Sequence, residues 1–202
     1  MQLELPPGLT LYFARHGQTV ANLEQRFSGW KDTPLTALGR EQAAMVGRAL
    51  GRAVGTAPGL GFVASPLQRA RTTMEIALGE LGLAGHAYAT DPRLAEINLG
   101  LWDQLTDAEA RALDPALFDA RAADKWTVHV PGGENYAEVA ARVSGFVAGL
   151  TADTFAVSHG ATTRILRGLL AGLGWEAMSA LDEPQGCVFR ARGREVVRLD
   201  AG

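Results

Sequence analysis

Val157-Ser158-His159-Gly160 closes the run that begins at Thr154 in the same way that Ala14-Arg15-His16-Gly17 closes Leu9-Thr10-Leu11-Tyr12-Phe13-Ala14. Each run is short, apolar and β-prone, and each is followed by a glycine where the backbone can turn sharply, so both read as buried strands. In open α/β sheets, ligands bind beyond the carboxyl ends of the strands. Two strands that each release a histidine there are expected to bring His16 and His159 to one edge.

The rest of the chain fits the same plan. Thr36 reads as the N-cap of a helix through Glu41, Ala44, Met45, Gly47, Ala49 and Leu50. A Gly/Pro break at 55–61 leads into Phe62-Val63-Ala64, a further strand candidate. Ser65-Pro66 then reads as N-cap and first helical residue of a helix carrying Leu67, Ala70, Met74, Ala77, Leu78 and Leu81 on one side. A short strand at Ala87 to Thr90 follows, and two short helices between Thr106 and Asp124 divide at Asp114-Pro115. Past the break at Pro131-Gly132-Gly133, Glu134 opens a helix through Val139, Val143, Phe146 and Leu150. The helix after His159 carries Ile165, Leu166, Leu169 and Leu170, and two runs split by Gly193 read as a terminal hairpin. Strands alternating with helices predict an α/β fold with three layers, α/β/α, around a mostly parallel central sheet. A single domain over residues 1–202 is expected, with the least sheet-like part, 98–133, as a lid or cap.

Composition narrows the function classes. The chain has 202 residues, 47% hydrophobic and 20% charged, enough apolar material for one ordinary core. Its 19 basic and 22 acidic residues give a net charge of -3, without the basic excess of a nucleic-acid binder. No run is long enough for a signal peptide or a membrane span. Cys187 is alone, so it has no intrachain disulfide partner, and a reducing, cytoplasmic setting without a membrane or nucleic-acid partner is expected. The sequence carries no signal of an oligomeric state.

Arg15, His16, Arg69 and His159 are candidates for one pocket rich in positive charge and donors. Arg69 belongs with them because Ser65, Pro66 and Arg69 follow a third strand end, on a helix N-terminus whose N–H groups suit an anion. The natural guest is a phosphoryl group, since guanidiniums match its oxygens and each charge-assisted bond contributes about 1.5–3 kcal/mol. A metal site is not expected: the histidines are far apart in sequence, and Arg15 would repel a dication. His86, His129 and Arg71 read as ordinary polar residues, and Cys187 as a small hydrophobe.

Five ordered blocks carry a resemblance over nearly the whole chain. Arg15-His16-Gly17-Gln18-Thr19 with Asn22, Arg26 to Asp32 and Leu35 to Gly39 form the first. Ser65 to Thr73, the Glu96 segment, Pro131 to Glu134 and Ser158-His159-Gly160 follow in order. Together they resemble the histidine phosphatase (phosphoglycerate mutase-like) superfamily. The resemblance implies that His16 is a nucleophile forming a phosphohistidine and that Glu96 is the proton donor and acceptor. It implies that Arg15, Arg69 and His159 hold the phosphoryl oxygens, with Asn22, Ser28, Gly29 and Gly160 as further phosphate-binding positions. It implies no metal and no cofactor.

Mutases of this family follow the acid with a tyrosine-containing stretch and a longer insertion bearing an arginine pair. Here Glu96 is followed by Ile97-Asn98-Leu99-Gly100-Leu101-Trp102, the interval to His159 is short, and Arg111, Arg121 and Arg142 stand isolated. The reading favoured is therefore a metal-independent phosphatase acting on a small phosphorylated metabolite. A bisphosphoglycerate-dependent phosphoglycerate mutase and a non-catalytic phospho-ligand binding protein are the alternatives. Specificity is expected from 98–133, with Trp102, Trp126 and His129 as candidate wall residues or as ordinary packing.

Overall fold

The computed structural model describes residues 3–55 and 59–202. Thr56, Ala57 and Pro58, within the break read at 55–61, lie outside the described residues. The chain runs β1 (Thr10–Arg15), α1 (Val20–Leu23), α2 (Ala37–Val54), β2 (Gly61–Ala64), α3 (Gln68–Glu80) and β3 (Ala89–Thr90). It continues through α4 (Asp107–Leu113), α5 (Pro115–Ala123), α6 (Tyr136–Ala148), β4 (Thr154–Ser158), α7 (Gly160–Leu170), α8 (Trp175–Ser179), β5 (Val188–Arg192) and β6 (Glu195–Leu199). The six strands form one sheet in the order β3-β2-β4-β1-β5-β6. The first four are parallel, and the β5–β6 hairpin adds an antiparallel edge beside β1.

Alternation along the central strands builds a core on each face. Phe155 and Val157 of β4 pack with Ala14, with Val46 and Leu50 of α2 and with Met74 and Leu78 of α3. Ala156 faces the other way, joining Leu11 and Phe13 of β1, Val143 and Phe146 of α6, and Ile165 and Leu169 of α7. The three-layer α/β/α expectation is met. Cys187 is buried in this second core, and burial pushes its thiol up to about 11, as suits a small hydrophobe. No helix among the described residues is long and apolar enough to cross a membrane.

Two sequence expectations shift. The helix after β2 starts later than Ser65-Pro66 predicts: its N-cap is Leu67, which supplies no side-chain cap. The cap comes from a remote loop, where Asp32 accepts the Gln68 and Arg69 amides at 2.7 and 3.3 Å. The helix read as opening at Glu134 begins at Tyr136 with Asn135 as N-cap, in a reciprocal capping box with Glu138.

Between a 3₁₀ turn at Gly100–Trp102 and the start of α6, residues 98–133 carry α4 and α5 around a satellite cluster of Trp102, Ala110 and Val130. The two ends of this segment are pinched together. Glu134 donates its amide to the Asn98 carbonyl at 2.8 Å, and the Asn98 amide donates to the Glu134 carboxylate at 2.9 Å. Only glycine fits at the pinch: a Cβ on Gly100 would overlap the Pro131 carbonyl, and one on Gly133 would lie 2.6 Å from the Asn98 carbonyl oxygen.

Candidate active site

Strand register brings the two histidines together. Arg15 of β1 lies opposite Ser158 of β4, and the His16 amide continues the ladder to the Ser158 carbonyl at 2.9 Å. The next residue of each strand is therefore a histidine beside a histidine, and their rings stand edge to face with centroids 5.1 Å apart. On the other side of β4, Ala64 pairs with Val157, which delivers Ser65 to the same edge. There the Ser65 hydroxyl lies 2.7 Å from His159 Nε2.

His16 is 2% exposed, and its Nδ1 lies 2.8 Å from the Gly17 carbonyl, which makes Nδ1 the protonated nitrogen. Nε2 makes no hydrogen bond among the described residues, and His16 lines a cavity of about 300 Å³. Burial, and then the Arg69 and Arg15 guanidiniums, hold its pKa well below the usual imidazole value. A neutral imidazole with one free nitrogen is a nucleophile. The loop that carries it is fixed by backbone contact, because a Cβ on Gly17 would overlap the Gly39 carbonyl at the start of α2.

Glu96 sits across the same cavity, at the N-terminus of α7. One oxygen accepts from the Ile97 amide at 2.9 Å, the Thr162 amide at 3.2 Å and the Thr162 hydroxyl at 3.1 Å; the other accepts from the Ala161 amide at 3.3 Å. It thus caps a helix whose own N-cap, His159, makes no side-chain cap. Burial, followed by the nearby charge of Glu183, raises its pKa above that of an ordinary carboxyl. Its backbone is clamped by Arg142, whose guanidinium donates to the Arg93, Ala95 and Glu96 carbonyls at 2.8, 2.7 and 3.1 Å. Arg142, isolated in sequence, is a structural clamp rather than a ligand group.

Arg15, Asn22 and Ser28 also line the cavity. Asn22 Oδ1 accepts from the Thr19 amide and the Gln185 side chain, which leaves its Nδ2 donors for a guest. Among the described residues three buried side-chain polar atoms lack any hydrogen-bond partner: Arg15 Nε, Ser28 Oγ and Arg164 Nε. All three belong to residues lining this one cavity. Buried polar atoms without partners call for an explanation, and these three cluster around one cavity.

Other expected site residues are placed close by but occupied. Arg69 donates through Nε to His159 Nδ1 at 3.2 Å, and elsewhere to the Ser28, Gly29 and Lys31 carbonyls and Asp32. With Nδ1 accepting, His159 carries its proton on Nε2 and gives it to Ser65. Burial and then Arg69 keep His159 neutral, its pKa well below the ordinary value. Arg69, His159 and Gly160 are not among the residues that line the cavity, but His159 stands against His16, and a Cβ on Gly160 would meet Glu183 and Arg15. The α3 N-terminus, read from sequence as an anion site, is already satisfied by Asp32. Gly29 is buried with its amide held by Asp103 at 2.8 Å, so the structure does not bring it to the wall. Trp102 stacks in the core with Phe27 and Phe118, Trp126 packs on the main core, and His129 is exposed beside Asn135; none lines the cavity.

Sequence reasoning missed Asp32 and Asp103, which shape the loop from Arg26 to Asp32. Asp103, 8% exposed, accepts the amides of Gly29, Trp30 and Lys31 at 2.8, 3.0 and 2.9 Å. Replacing Asp103 with Ala strands those amides, so Asp103→Ala is expected to destabilise the protein by about 2–4 kcal/mol. Urea unfolding checks this, and a loss under 1 kcal/mol would contradict the loop assignment. Sequence reasoning also missed the outer wall: Arg121, Lys125, Tyr136, Arg164 and Glu183. The signal was slight, Arg121 and Lys125 being four residues apart.

A neutral histidine with a free ring nitrogen, a guanidinium and a buried carboxyl at the carboxyl edge of a parallel sheet form a site suited to phosphoryl transfer. The chain belongs to the histidine phosphatase superfamily (branch 1), whose family model matches residues 11–195. It is similar to the glucosyl-3-phosphoglycerate phosphatase of Mycobacterium tuberculosis, 40% identical over 71% of this chain and 60% of that protein. The 2,3-bisphosphoglycerate-dependent phosphoglycerate mutase of Methylorubrum populi is 38% identical over 66% of this chain and 62% of that protein. The match thus spans less than two thirds of these curated relatives' length. The solved alpha-ribazole phosphatase of Shigella flexneri superimposes with a TM-score of 0.80 at 26% identity, covering 96% of both chains.

Proposed function

We propose that this protein is a metal-independent phosphomonoesterase that hydrolyses a small phosphorylated metabolite through a phosphohistidine. The observation that carries the reading is the unpartnered Nε2 of a neutral His16, on a residue that lines one cavity together with Arg15, Asn22, Ser28 and Glu96. His16 Nε2 attacks phosphorus in line while the ester oxygen leaves, and Glu96, whose pKa burial raises, gives that oxygen its proton when it is in the protonated form. Water then attacks the phosphohistidine and yields its proton to Glu96, releasing phosphate and the free imidazole.

Arg15, Asn22 and Ser28 are the groups presented to the phosphoryl oxygens. Arg69 and His159, beside His16, complete the phosphoryl-binding set, with Arg69 also holding the Ser28 and Gly29 carbonyls and adding positive potential at His16. The whole chain acts as one catalytic domain, and residues 98–133 cap the cavity through Leu99, Arg121 and Lys125. A phosphatase is favoured over a mutase by the short interval between Glu96 and His159. A mutase must shield its phosphohistidine from water, and a short cap does so poorly.

The test is phosphate release by EDTA-treated protein from a panel of phosphomonoesters that includes p-nitrophenyl phosphate. Release with no loss after EDTA is expected. Transfer to an acceptor without release would favour the mutase reading, and binding without either would favour a capture protein.

A further inference from the structure

Two carboxyl groups meet at the N-terminus of α7. Glu96 accepts the Ala161 and Thr162 amides there. Glu183 reaches the same place from the connection between α8 and β5, and its carboxylate lies so close over Gly160 that a Cβ would overlap it. Both acids line the cavity that holds His16. Glu183 pairs with Arg164 of α7 at 3.1 Å and with Arg15 of β1 at 3.7 Å, and no step assigned to His16 or Glu96 uses it.

The chain around Glu183 is fastened by groups other than its carboxylate. Arg15 donates to the Glu183 carbonyl at 2.6 Å, and Arg167 pairs with Asp182 at 2.9 Å. The Gln185 side chain donates to the His16 carbonyl at 3.0 Å and to Asn22 Oδ1 at 3.3 Å. A carboxylate on the wall of a phosphate-binding cavity also repels the guest. Its presence there calls for a role that depends on its charge.

That role is visible in the surroundings of Glu96. Arg69 of α3 and Arg15 favour its charged form, while burial and then Glu183 oppose it. Arg142 of α6, on the Glu96 carbonyl, is paired with Glu134 at 3.0 Å, and His16 and His159 are held neutral. Lys125 and Tyr136, on the same side of the cavity as Arg164, also feel the Glu183 charge. Two neighbouring carboxyls do not both ionise readily, and the split assigns the acid. Here Arg164 sits on one of the two and not on the other.

We propose that Glu183 is a positioning residue for proton transfer: an anion fixed to Arg15 and Arg164 that keeps the proton on Glu96 until the ester oxygen takes it. This rests on the phosphomonoesterase reading, in which Glu96 is the general acid, and adds what holds that acid ready. Glu183 itself neither gives nor receives the proton.

The test compares pH profiles of kcat/KM for wild type, Glu183→Gln and Glu183→Asp, with glycerol 3-phosphate and with p-nitrophenyl phosphate. In Glu183→Gln the alkaline limb for glycerol 3-phosphate should move to lower pH, because Glu96 then loses its proton more readily. At a pH on that limb the variant is expected to be about tenfold slower than the wild type, with the gap closing toward acid. With p-nitrophenyl phosphate, which needs no proton from Glu96, the ratio of variant to wild type should stay within about twofold of one value across pH. Glu183→Asp, which keeps the charge, should keep the limb near its wild-type place. If Glu183→Gln does not fold, the neutral Glu183→Ser takes its place. A limb that stays put, or a loss of equal size at every pH, overturns the proposal and leaves the phosphatase reading intact. If the wild type hydrolyses neither ester, ¹³C NMR titration of the Glu96 carboxyl, assigned by its absence in Glu96→Gln, decides the matter separately. Titration at lower pH in Glu183→Gln than in wild type supports the proposal; coincident titration overturns it.

Discussion

His16→Ala is expected to lose phosphate release by at least about 10⁴-fold, because removing a covalent nucleophile leaves only binding and charge stabilisation. The fold should survive, since the imidazole contributes one hydrogen bond, to Gly17, and no part of the apolar core. Rapid quenching after mixing with labelled substrate should trap an acid-labile, base-stable label on the wild type and none on the variant. A variant that keeps more than about 1% of the wild-type rate would contradict the nucleophile assignment. Loss of turnover with phosphate binding retained would separate the chemistry from capture, because Arg15, Asn22 and Ser28 remain in place.

Glu96→Gln is expected to slow hydrolysis of alkyl phosphates by about 10²–10⁴-fold, the usual worth of a general acid. The loss in kcat/KM should be far smaller for p-nitrophenyl phosphate, whose leaving group departs without a proton. The pH dependence follows from the two directions of shift. Glu96 must be protonated in the first step, so kcat/KM for an alkyl ester falls as pH rises through its value, which lies above 4.5. His16 must be neutral, so kcat/KM falls as pH decreases through its value, which lies well below 6.5. In Glu96→Gln the alkaline limb should vanish and the acid limb stay. An alkaline limb that persists would assign it to another group.

The strand ends were legible because their logic is local: a β-prone run, a turn at glycine and a histidine between them, twice. Register then does the rest, and the pairing of Arg15 with Ser158 turns two distant repeats into neighbours. The hairpin at Gly193 and the division at Asp114-Pro115 were legible for the same reason. The start of α3 was not, because its cap is Asp32, a side chain from another loop; local capping rules see only Ser65. Gly29 was placed among the phosphate-binding positions by resemblance alone, and that its amide donates to Asp103, far along the chain, is visible only in the folded protein. Arg121 looked isolated, and Lys125 and Arg164 drew no reading, because the three converge on one cavity only in the folded chain. Where a residue's role depends on its own strand or helix, the sequence shows it; where it depends on a partner dozens of positions away, only the folded chain does.

The staple between Asn98 and Glu134 makes the segment it closes interchangeable. Chain leaves and re-enters the body of the protein at one point, so what lies between can change in length and content without altering the sheet, the His16 loop or the Glu96 clamp. Doubling such a loop raises its closure cost by only about 0.6 kcal/mol. The phosphoryl chemistry and the choice of guest are thereby built on separable parts: a graft of another relative's segment between the same two residues should transplant selectivity while the nucleophile keeps its register.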